Sequence, residues 1–270
     1  MSEDILDRPA PDAQISEPYG ADELQFGHLR LPSGDGPHPV AICLHGGFWR
    51  APWDLEHLGH LAAALSDAGI ATWNVEFRRT GNAGGGWPGT FLDVAAAADY
   101  LRTLAQRYPL DLTRAISVGH SAGGHLAMWL AGRRRISQTS ELWSADPLPL
   151  RGAVSLAGVL DLAEAERRAL SENATALLMG GSPASQPERY AAGSPIQLLP
   201  LGVRQAVVHG IGDDTVPYHI SADYVAVAKA AGDHVTLLTL PHAGHYDLID
   251  PLAQDWPEIL AVIQSVARPR

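Results

Sequence analysis

Short apolar runs alternate with longer amphipathic segments along most of this chain. The apolar runs predict strands at residues 24–31, 40–44, 70–77, 115–118, 153–156, 205–209 and 235–240. The amphipathic segments predict helices at residues 55–68, 90–106, 123–131, 220–231 and 252–267. Strands that alternate with helices predict an α/β fold, with a mostly parallel central sheet covered by helices on both faces. In such sheets, functional side chains collect at the carboxyl ends of the strands.

Two segments depart from this alternation. Residues 1–20 are acidic and contain proline, which predicts a flexible or surface-bound N-terminal leader. Residues 160–200 are rich in Ala, Ser, Glu and Pro without a clear strand, which predicts helices and loops inserted over the sheet as a small cap. A chain of 270 residues otherwise suits one large α/β domain, here residues 21–270.

The composition of the chain excludes several classes of function and adds little about the fold. The 19 basic and 30 acidic residues give a net charge of −11, which disfavours binding to nucleic acids or to anionic membranes. No segment has the character of a secretion signal, and no apolar run approaches the roughly 18 residues of a membrane helix. We therefore expect a cytoplasmic protein. The single cysteine, Cys43, excludes an intramolecular disulfide and is expected to be a buried packing residue.

The segment GHSAG, residues 119–123, matches the pattern G-x-S-x-G in a specific context. A predicted strand enters it and a predicted helix leaves it, so Ser121 is placed on a sharp strand-to-helix turn. The helix N-terminus directs backbone N–H groups and a positive dipole end at developing negative charge. These features predict Ser121 as a catalytic nucleophile.

A serine nucleophile needs a base and a group that orients the base, in the chain order Ser, Asp or Glu, His. Asp213 and Asp214 follow one predicted strand, and His242 and His245 follow the next. HGIGDDTVP resembles the hydrolase pattern H-G-x-x-D-x-x-V-P, which favours Asp213 as the acid and makes Asp214 a turn residue. AGHYDLID resembles the G-H segment before a final helix, which favours His245 as the base and leaves His242 in the loop.

Other candidates for these roles are weaker. Asp161, which follows another predicted strand, is an alternative acid, although a turn or helix-start role explains it. His209 is expected to pack or bond at its strand end. His57 and His60 lie three residues apart on a predicted helix, but no third ligand is visible and EHLGH is not HExxH. Both are therefore expected at the surface, and we predict neither a metal nor a cofactor.

HGGFW, residues 45–49, follows the strand VAICL. Glycines there allow backbone N–H groups to turn towards a substrate carbonyl, which predicts an oxyanion hole formed by Gly47, Phe48 and Ala122. Aromatic residues in loops at the same sheet edge predict an apolar pocket wall. The predicted pocket residues, besides Phe48, are Trp49, Trp87 and His120. Arg78 or Arg79 is expected to pair with Glu76 or an acidic loop residue, holding the oxyanion loop.

HGGFW, GHSAGGHL, HGIGDDTVP and AGHYDLID together resemble the α/β-hydrolase superfamily across about residues 24–268. The chain is similar to bacterial esterase-like hydrolases, to kynurenine formamidases through HGGxW, and to the catalytic domain of prolyl-oligopeptidase-type peptidases. It departs from hormone-sensitive-lipase-like esterases in having HGGF rather than HGGG, and no long apolar lid is present. The resemblance implies a small soluble substrate with an ester or an activated amide.

The leading hypothesis is hydrolysis of a small-molecule carboxylic ester through an acyl-enzyme. The alternatives are an arylformamidase, a small-peptide or aminoacyl hydrolase, and a non-catalytic binding scaffold. The filled triad positions disfavour the scaffold. The expected partner is the small-molecule substrate, and a homodimer is left open.

Overall fold

An eight-stranded sheet forms the centre of the computed structural model, which describes residues 4–268. The strands are β1 (Ile15–Pro18), β2 (Phe26–Arg30), β3 (His38–Leu44), β4 (Ala71–Val75), β5 (Leu110–His120), β6 (Gly152–Leu156), β7 (Arg204–Gly210) and β8 (Val235–Leu240). Their order across the sheet is β1-β2-β4-β3-β5-β6-β7-β8. The pairs β1–β2 and β2–β4 are antiparallel and the other pairs are parallel, so the predicted mostly parallel sheet is confirmed.

Helices connect most of the strands. They are α1 (Asp4–Asp7), α2 (Gly59–Asp67), α3 (Gly89–Asp99), α4 (Leu101–Leu104), α5 (Ala122–Gly132), α6 (Leu162–Arg167), α7 (Leu170–Met179), α8 (Pro187–Gly193), α9 (Tyr218–Ala230) and α10 (Trp256–Ala267). Short 3-10 helices occupy Leu55–Leu58, Arg133–Arg135, Pro195–Leu198 and Tyr246–Ile249. The last helix begins at Trp256, later than predicted, and Pro257 lies in its first turn, where a missing N–H costs no helical bond.

Both faces of the sheet are covered. Along β3, Val40, Ile42 and Leu44 join one apolar cluster with α3, α5 and α9, while Ala41 and Cys43 join another with α2 and α10. This division follows from the period of two in a strand, which sends successive side chains to opposite faces. Burial raises the pKa of the Cys43 thiol to about 12, which keeps the group protonated and confirms its packing role.

The structure differs from the prediction of a flexible leader. Residues 15–18 form β1, which pairs with β2 at the sheet edge from Ile15 opposite Leu29 to Pro18 opposite Phe26. Ile5 of α1 is buried against the second cluster, and the Arg8 guanidinium lies 2.5 Å from the Asp250 carboxylate. A strand of four residues, two half-buried and two exposed, makes too short a pattern to distinguish from a loop by sequence. Residues 1–3 of the predicted leader lie outside the described residues.

The segment predicted as a cap lies between β6 and β7. It contains α6, α7, α8 and a 3-10 helix, and no strand is found in residues 160–200, all of which the structure describes. Ser171, Glu172 and Asn173 near the start of α7 have φ angles of 48–64°. The Arg50 guanidinium donates a hydrogen bond to the Ser171 carbonyl and lies 3.5 Å from the Glu172 carboxylate. This segment is thereby joined to the residue that follows HGGFW. Within residues 4–268, no helix has the length and apolar character needed to cross a bilayer.

Candidate active site

Ser121 lies at the turn between β5 and α5, at the carboxyl end of a central strand. Its φ and ψ are 55° and −121°, a region that side-chain-bearing residues rarely adopt. The turn is held because the Ser121 N–H donates to the Leu156 carbonyl at 2.8 Å and the His125 N–H donates to the Ser121 carbonyl at 3.1 Å. A strained serine held by surrounding backbone is the arrangement expected of a nucleophile elbow.

Glycines let the backbone around Ser121 pack closely. A Cβ atom at Gly123 would lie 1.8 Å from the Leu44 carbonyl oxygen, and one at Gly119 would lie 2.1 Å from the Gly123 carbonyl oxygen. Neither oxygen can move without displacing a strand or helix. The small residues of GHSAG are therefore required by backbone packing around the turn.

Replacing Gly123 by alanine is expected to lower the free energy of unfolding by about 3 kcal/mol or more, because backbone atoms must shift to admit the methyl group. The measurement is urea denaturation of the two proteins. Gly69→Ala is the control: its Cβ would meet no atom within 4 Å, so only the cost of its φ of +88° remains, about 1 kcal/mol. Equal destabilisation by both substitutions would contradict the packing argument.

Asp213 and His245 follow the adjacent parallel strands β7 and β8. The His245 Nδ1–H donates to Asp213 Oδ2 at 2.7 Å. Asp213 Oδ1 accepts from the N–H groups of Thr215 and Val216 at 2.9 and 2.8 Å, so both carboxylate oxygens are fixed. Asp214 is exposed and its carboxylate accepts from the Thr215 hydroxyl at 3.2 Å. The geometry thus pairs the predicted base with Asp213 and leaves Asp214 in the turn.

His209 also contacts the acid. Its Nε2 lies 3.2 Å from Asp213 Oδ2 and 2.9 Å from the Val216 carbonyl oxygen, and its Nδ1 lies 2.7 Å from Ser221 Oγ. Burial acts to raise the pKa of Asp213, but hydrogen bonds from His209 and His245 outweigh it and hold the pKa far below its usual range. The Asp213 side chain is therefore buried, and its surroundings favour the ionised, hydrogen-bond-accepting form.

The loop HGGFW has an unusual backbone beside Ser121. Gly47, Phe48 and Trp49 have consecutive φ values of 99°, 47° and 55°. A Cβ atom at Gly46 would lie 3.2 Å from Ser121 Cβ, and one at Gly47 would lie 2.3 Å from Trp53 Cβ. The loop backbone therefore runs directly past the serine side chain, as an oxyanion loop must.

A buried ion pair supports this loop. Arg79 Nη1 lies 2.8 Å from Glu76 Oε1 and donates a hydrogen bond to the Trp53 carbonyl, while Glu76 Oε2 accepts from the Leu55 N–H at 3.1 Å. The expected arginine–Glu76 pair is therefore formed by Arg79. Arg78 instead pairs with Asp93 at 2.7 Å.

A cavity of about 40 Å³ lies beside Ser121. Its lining combines Ser121, the predicted base and the HGGFW loop with residues that the sequence did not place in the site. The lining residues are Gly47, Phe48, Trp53, His57, Ser121, Thr215, His245 and Tyr246. Thr215 and Tyr246 lie within recognised motifs, whereas Trp53 and His57 follow HGGFW. Nothing in the sequence pattern showed which way these side chains point.

The structure does not bring the other predicted pocket residues to this cavity. Trp49 is buried, with its ring edge-on to His125 at 5.1 Å. Trp87 lines a separate cavity of about 730 Å³ beside α8, where its Nε1–H donates to Glu141 at 3.1 Å. His120 is fully buried, and its Nε2 lies 2.9 Å from the His245 carbonyl oxygen. Of the predicted aromatic wall, only Phe48 lines the cavity.

The remaining candidates have definite places. Asp161 caps the start of α6 by accepting from the N–H groups of Ala163 and Glu164, and His242 is exposed in its loop. The expectation that His57 is a surface residue was wrong, since its ring is half-buried and lines the cavity. The described residues contain no group of three or more His, Cys, Asp or Glu side chains placed to hold a metal ion.

The eight-stranded, mostly parallel sheet with helices on both faces is the α/β-hydrolase fold. The chain belongs to the BD-FAE family, whose model matches residues 29–227. The matched stretch includes Ser121 and Asp213 and ends before His245. A comparison with curated proteins gave no match.

Solved structures with the same fold share little sequence with the chain. A truncated carbohydrate esterase from gut microbiota is 22% identical with a TM-score of 0.80, over 96% of this chain and 99% of that one. An acetyl ester-xyloside bifunctional hydrolase from Caldicellulosiruptor lactoaceticus is 20% identical with a TM-score of 0.72, over 94% and 97%. Esterase B from Lactobacillus rhamnosis, inhibited by a tributyrin phosphonate, is 19% identical with a TM-score of 0.80, over 97% and 89%.

Proposed function

We propose that this protein is a serine hydrolase that cleaves small-molecule carboxylic esters with a short acyl group. The observation that carries the proposal is the convergence of Ser121, the Asp213–His245 pair and the HGGFW loop on one cavity. Ester hydrolysis is also supported by the structural neighbours, whose names describe esterases or ester hydrolases. They also favour an acylated carbohydrate as the substrate class to test first.

In the proposed reaction, Ser121 Oγ attacks the ester carbonyl carbon while its proton passes to His245 Nε2. The resulting imidazolium is stabilised because His245 Nδ1–H remains bonded to the ionised Asp213. Backbone N–H groups of Gly47, Phe48 and Ala122 are assigned to the oxyanion, where one donor is typically worth about 3 kcal/mol. Collapse of the intermediate expels the alcohol, which takes its proton from His245, and water then hydrolyses the acyl-enzyme by the reverse proton route.

The cavity beside Ser121 limits the acyl group. One water needs roughly 10–15 Å³ of the same kind of volume, so the cavity of about 40 Å³ has space for about three non-hydrogen atoms. An acetyl group has that number. The HGGFW loop and the buried His245 line this cavity and leave little room for a longer acyl chain unless side chains move.

We therefore expect kcat/KM to fall with acyl length among p-nitrophenyl esters. Each methylene that must be forced into a fixed pocket costs about 1–3 kcal/mol, so butyrate is expected to be about tenfold or more slower than acetate. Initial rates with acetate, butyrate and octanoate esters give the comparison. A maximum at octanoate would contradict the size limit while leaving ester hydrolysis intact.

A substrate panel tests the reaction class. It contains an acetylated monosaccharide, p-nitrophenyl acetate, N-formylkynurenine and an aminoacyl-arylamide, each assayed with and without EDTA. We expect turnover of the acetyl esters, unchanged by the chelator, and labelling of Ser121 by a fluorophosphonate probe. Preferential turnover of the formamide or the arylamide would replace the ester assignment, and a protein neither active nor labelled would be a binding scaffold.

A further inference from the structure

We propose that His57 and His120 form a hydrogen-bonded pair that positions the base His245. This inference deepens the hydrolase function proposed above and rests on it. Neither residue is assigned to the triad. His57 comes from the 3-10 helix Leu55–Leu58, after the oxyanion loop, and His120 immediately precedes the nucleophile in GHSAG.

The pair forms a continuous chain that ends on the backbone of the base. His57 Nε2 lies 2.8 Å from His120 Nδ1, and His120 Nε2 lies 2.9 Å from the carbonyl oxygen of His245. The ring centroids of His57 and His120 are 5.0 Å apart, and the ring planes are inclined by 26°. The His120 and His245 centroids are 4.4 Å apart at 49°. His120 therefore contacts the base through a hydrogen bond and through its ring.

The carbonyl at the end of the chain sets the proton positions. A carbonyl oxygen only accepts, so His120 Nε2 must carry the hydrogen of that bond. In neutral His120, Nδ1 is then an acceptor, and the hydrogen between the two rings belongs to His57 Nε2. His57 Nδ1, which has no hydrogen-bond partner, is left as a bare acceptor. The chain thus runs in one direction, from His57 through His120 to the His245 carbonyl.

The surroundings keep both rings uncharged. Burial, then the nearby His45 and His245, lower the pKa of His57 to about 3. Burial, then His245 and His57, lower the pKa of His120 well below its ordinary value. Neutral neighbours matter because His245 becomes a cation when it takes the serine proton. A second imidazolium in contact with its ring would oppose that step.

The His57 end of the hydrogen-bonded pair lies in a segment that is itself bound by the Glu76–Arg79 ion pair. The helical turn that carries His57 is capped by Asp54, which accepts from the Glu56 N–H at 2.9 Å. The Leu55 N–H is bound by Glu76, the partner of Arg79. The pair therefore links the segment that holds the oxyanion loop to the backbone of the base. Positioning of this kind acts on the transition state, where a displacement of about 1 Å costs on the order of a hundredfold in rate.

Replacing His57 with phenylalanine and with glutamine tests the pair. Phenylalanine keeps a ring but removes the donor, and kcat is expected to fall about a hundredfold with KM within about twofold of wild type. Glutamine keeps an N–H₂ donor near the position of Nε2, and is expected to recover most of the loss. His60→Phe and His60→Gln are matched controls, because the one hydrogen bond of the His60 ring to residues 4–268 goes to the Arg8 carbonyl, at 3.3 Å. Both are expected to retain wild-type kcat.

The rate at which a fluorophosphonate labels Ser121 gives the same comparison without dependence on the substrate. Equal kcat in His57→Phe and wild type would overturn the proposal. So would a change in KM alone, which indicates substrate contact, or equal losses in the two His57 variants, which indicate packing.

A spectroscopic readout separates this proposal from the proposed function. In ¹⁵N–¹H spectra of wild type at pH 7, His57 and His120 are both expected as neutral rings with the hydrogen on Nε2. If wild-type Ser121 is not labelled and no ester is cleaved, the hydrolase function fails, but these resonances still decide the pair. A His120 ring with its hydrogen on Nδ1, or a charged ring at either residue, would contradict it.

Discussion

The Ser121→Ala variant is expected to lose activity on p-nitrophenyl acetate by a factor of about 10⁶ in kcat, the loss seen when the nucleophile of such a triad is removed. The alanine methyl group retains the Cβ that the strained turn already accommodates, so the fold should persist. Steady-state kinetics with purified protein give the rate, and circular dichroism checks the fold. Fluorophosphonate labelling is expected to disappear with the activity.

Ser140→Ala is a suitable control for the loss at Ser121. Ser140 lines the separate cavity that contains Trp87, so its variant is expected to match wild type. A Ser121→Ala protein that keeps more than about a tenth of wild-type kcat would show that another group attacks the ester.

Asp213→Asn is expected to lower kcat by about 10⁴-fold, the loss typical when the orienting carboxylate of a triad becomes an amide. In wild type, Asp213 Oδ2 accepts from His245 Nδ1 at 2.7 Å. An amide nitrogen at this position donates instead, so His245 is held with its hydrogen on Nε2 and cannot accept the serine proton. Stopped-time assays at high enzyme concentration can quantify the residual rate.

Asp214→Asn provides the matched control, since it makes the same chemical change one residue along an exposed turn. Its activity is expected to stay within about twofold of wild type, because a surface substitution away from the site leaves the triad intact. If Asp214→Asn were the more damaging substitution, the acid would be Asp214. The comparison directly decides between the two residues that the sequence left as candidates.

Strands β3 to β7 were predictable because they are buried on both faces and so contain short continuous apolar runs. Strands β2–β8 all lie where the sequence predicted them, with boundaries shifted by a few residues. The edge strand β1 was not predicted, because a half-buried strand of four residues has too few positions to show a period. No residue of β1 is fully buried, so its sequence contains no apolar run.

The candidate site residues likewise divide into those that lie in local motifs and those that depend on contacts between distant segments. Ser121, Asp213 and His245 lie in local motifs at strand ends, and parallel strand ends meet at one sheet edge. The pocket lining could not be predicted in this way, because it depends on side-chain direction across distant segments. His57 was judged by its helical pattern, whereas its ring contacts His120, 63 residues away in the sequence. Trp87 also lies in a loop, but its side chain lines the separate cavity beside α8.

The position of β8 gives the base an attachment unlike that of the nucleophile. Ser121 follows a strand flanked on both sides, whereas His245 follows a strand that pairs with β7 alone among the strands the structure describes. Bonds from the Ile211 and Gly212 N–H groups to the Leu240 and Ala243 carbonyls hold the two strand ends together. Opening of this edge would separate the base from its acid while β3 to β7 stay folded. We therefore expect activity to be lost when the β7–β8 edge opens, whereas the fold is lost only when the central strands also unfold.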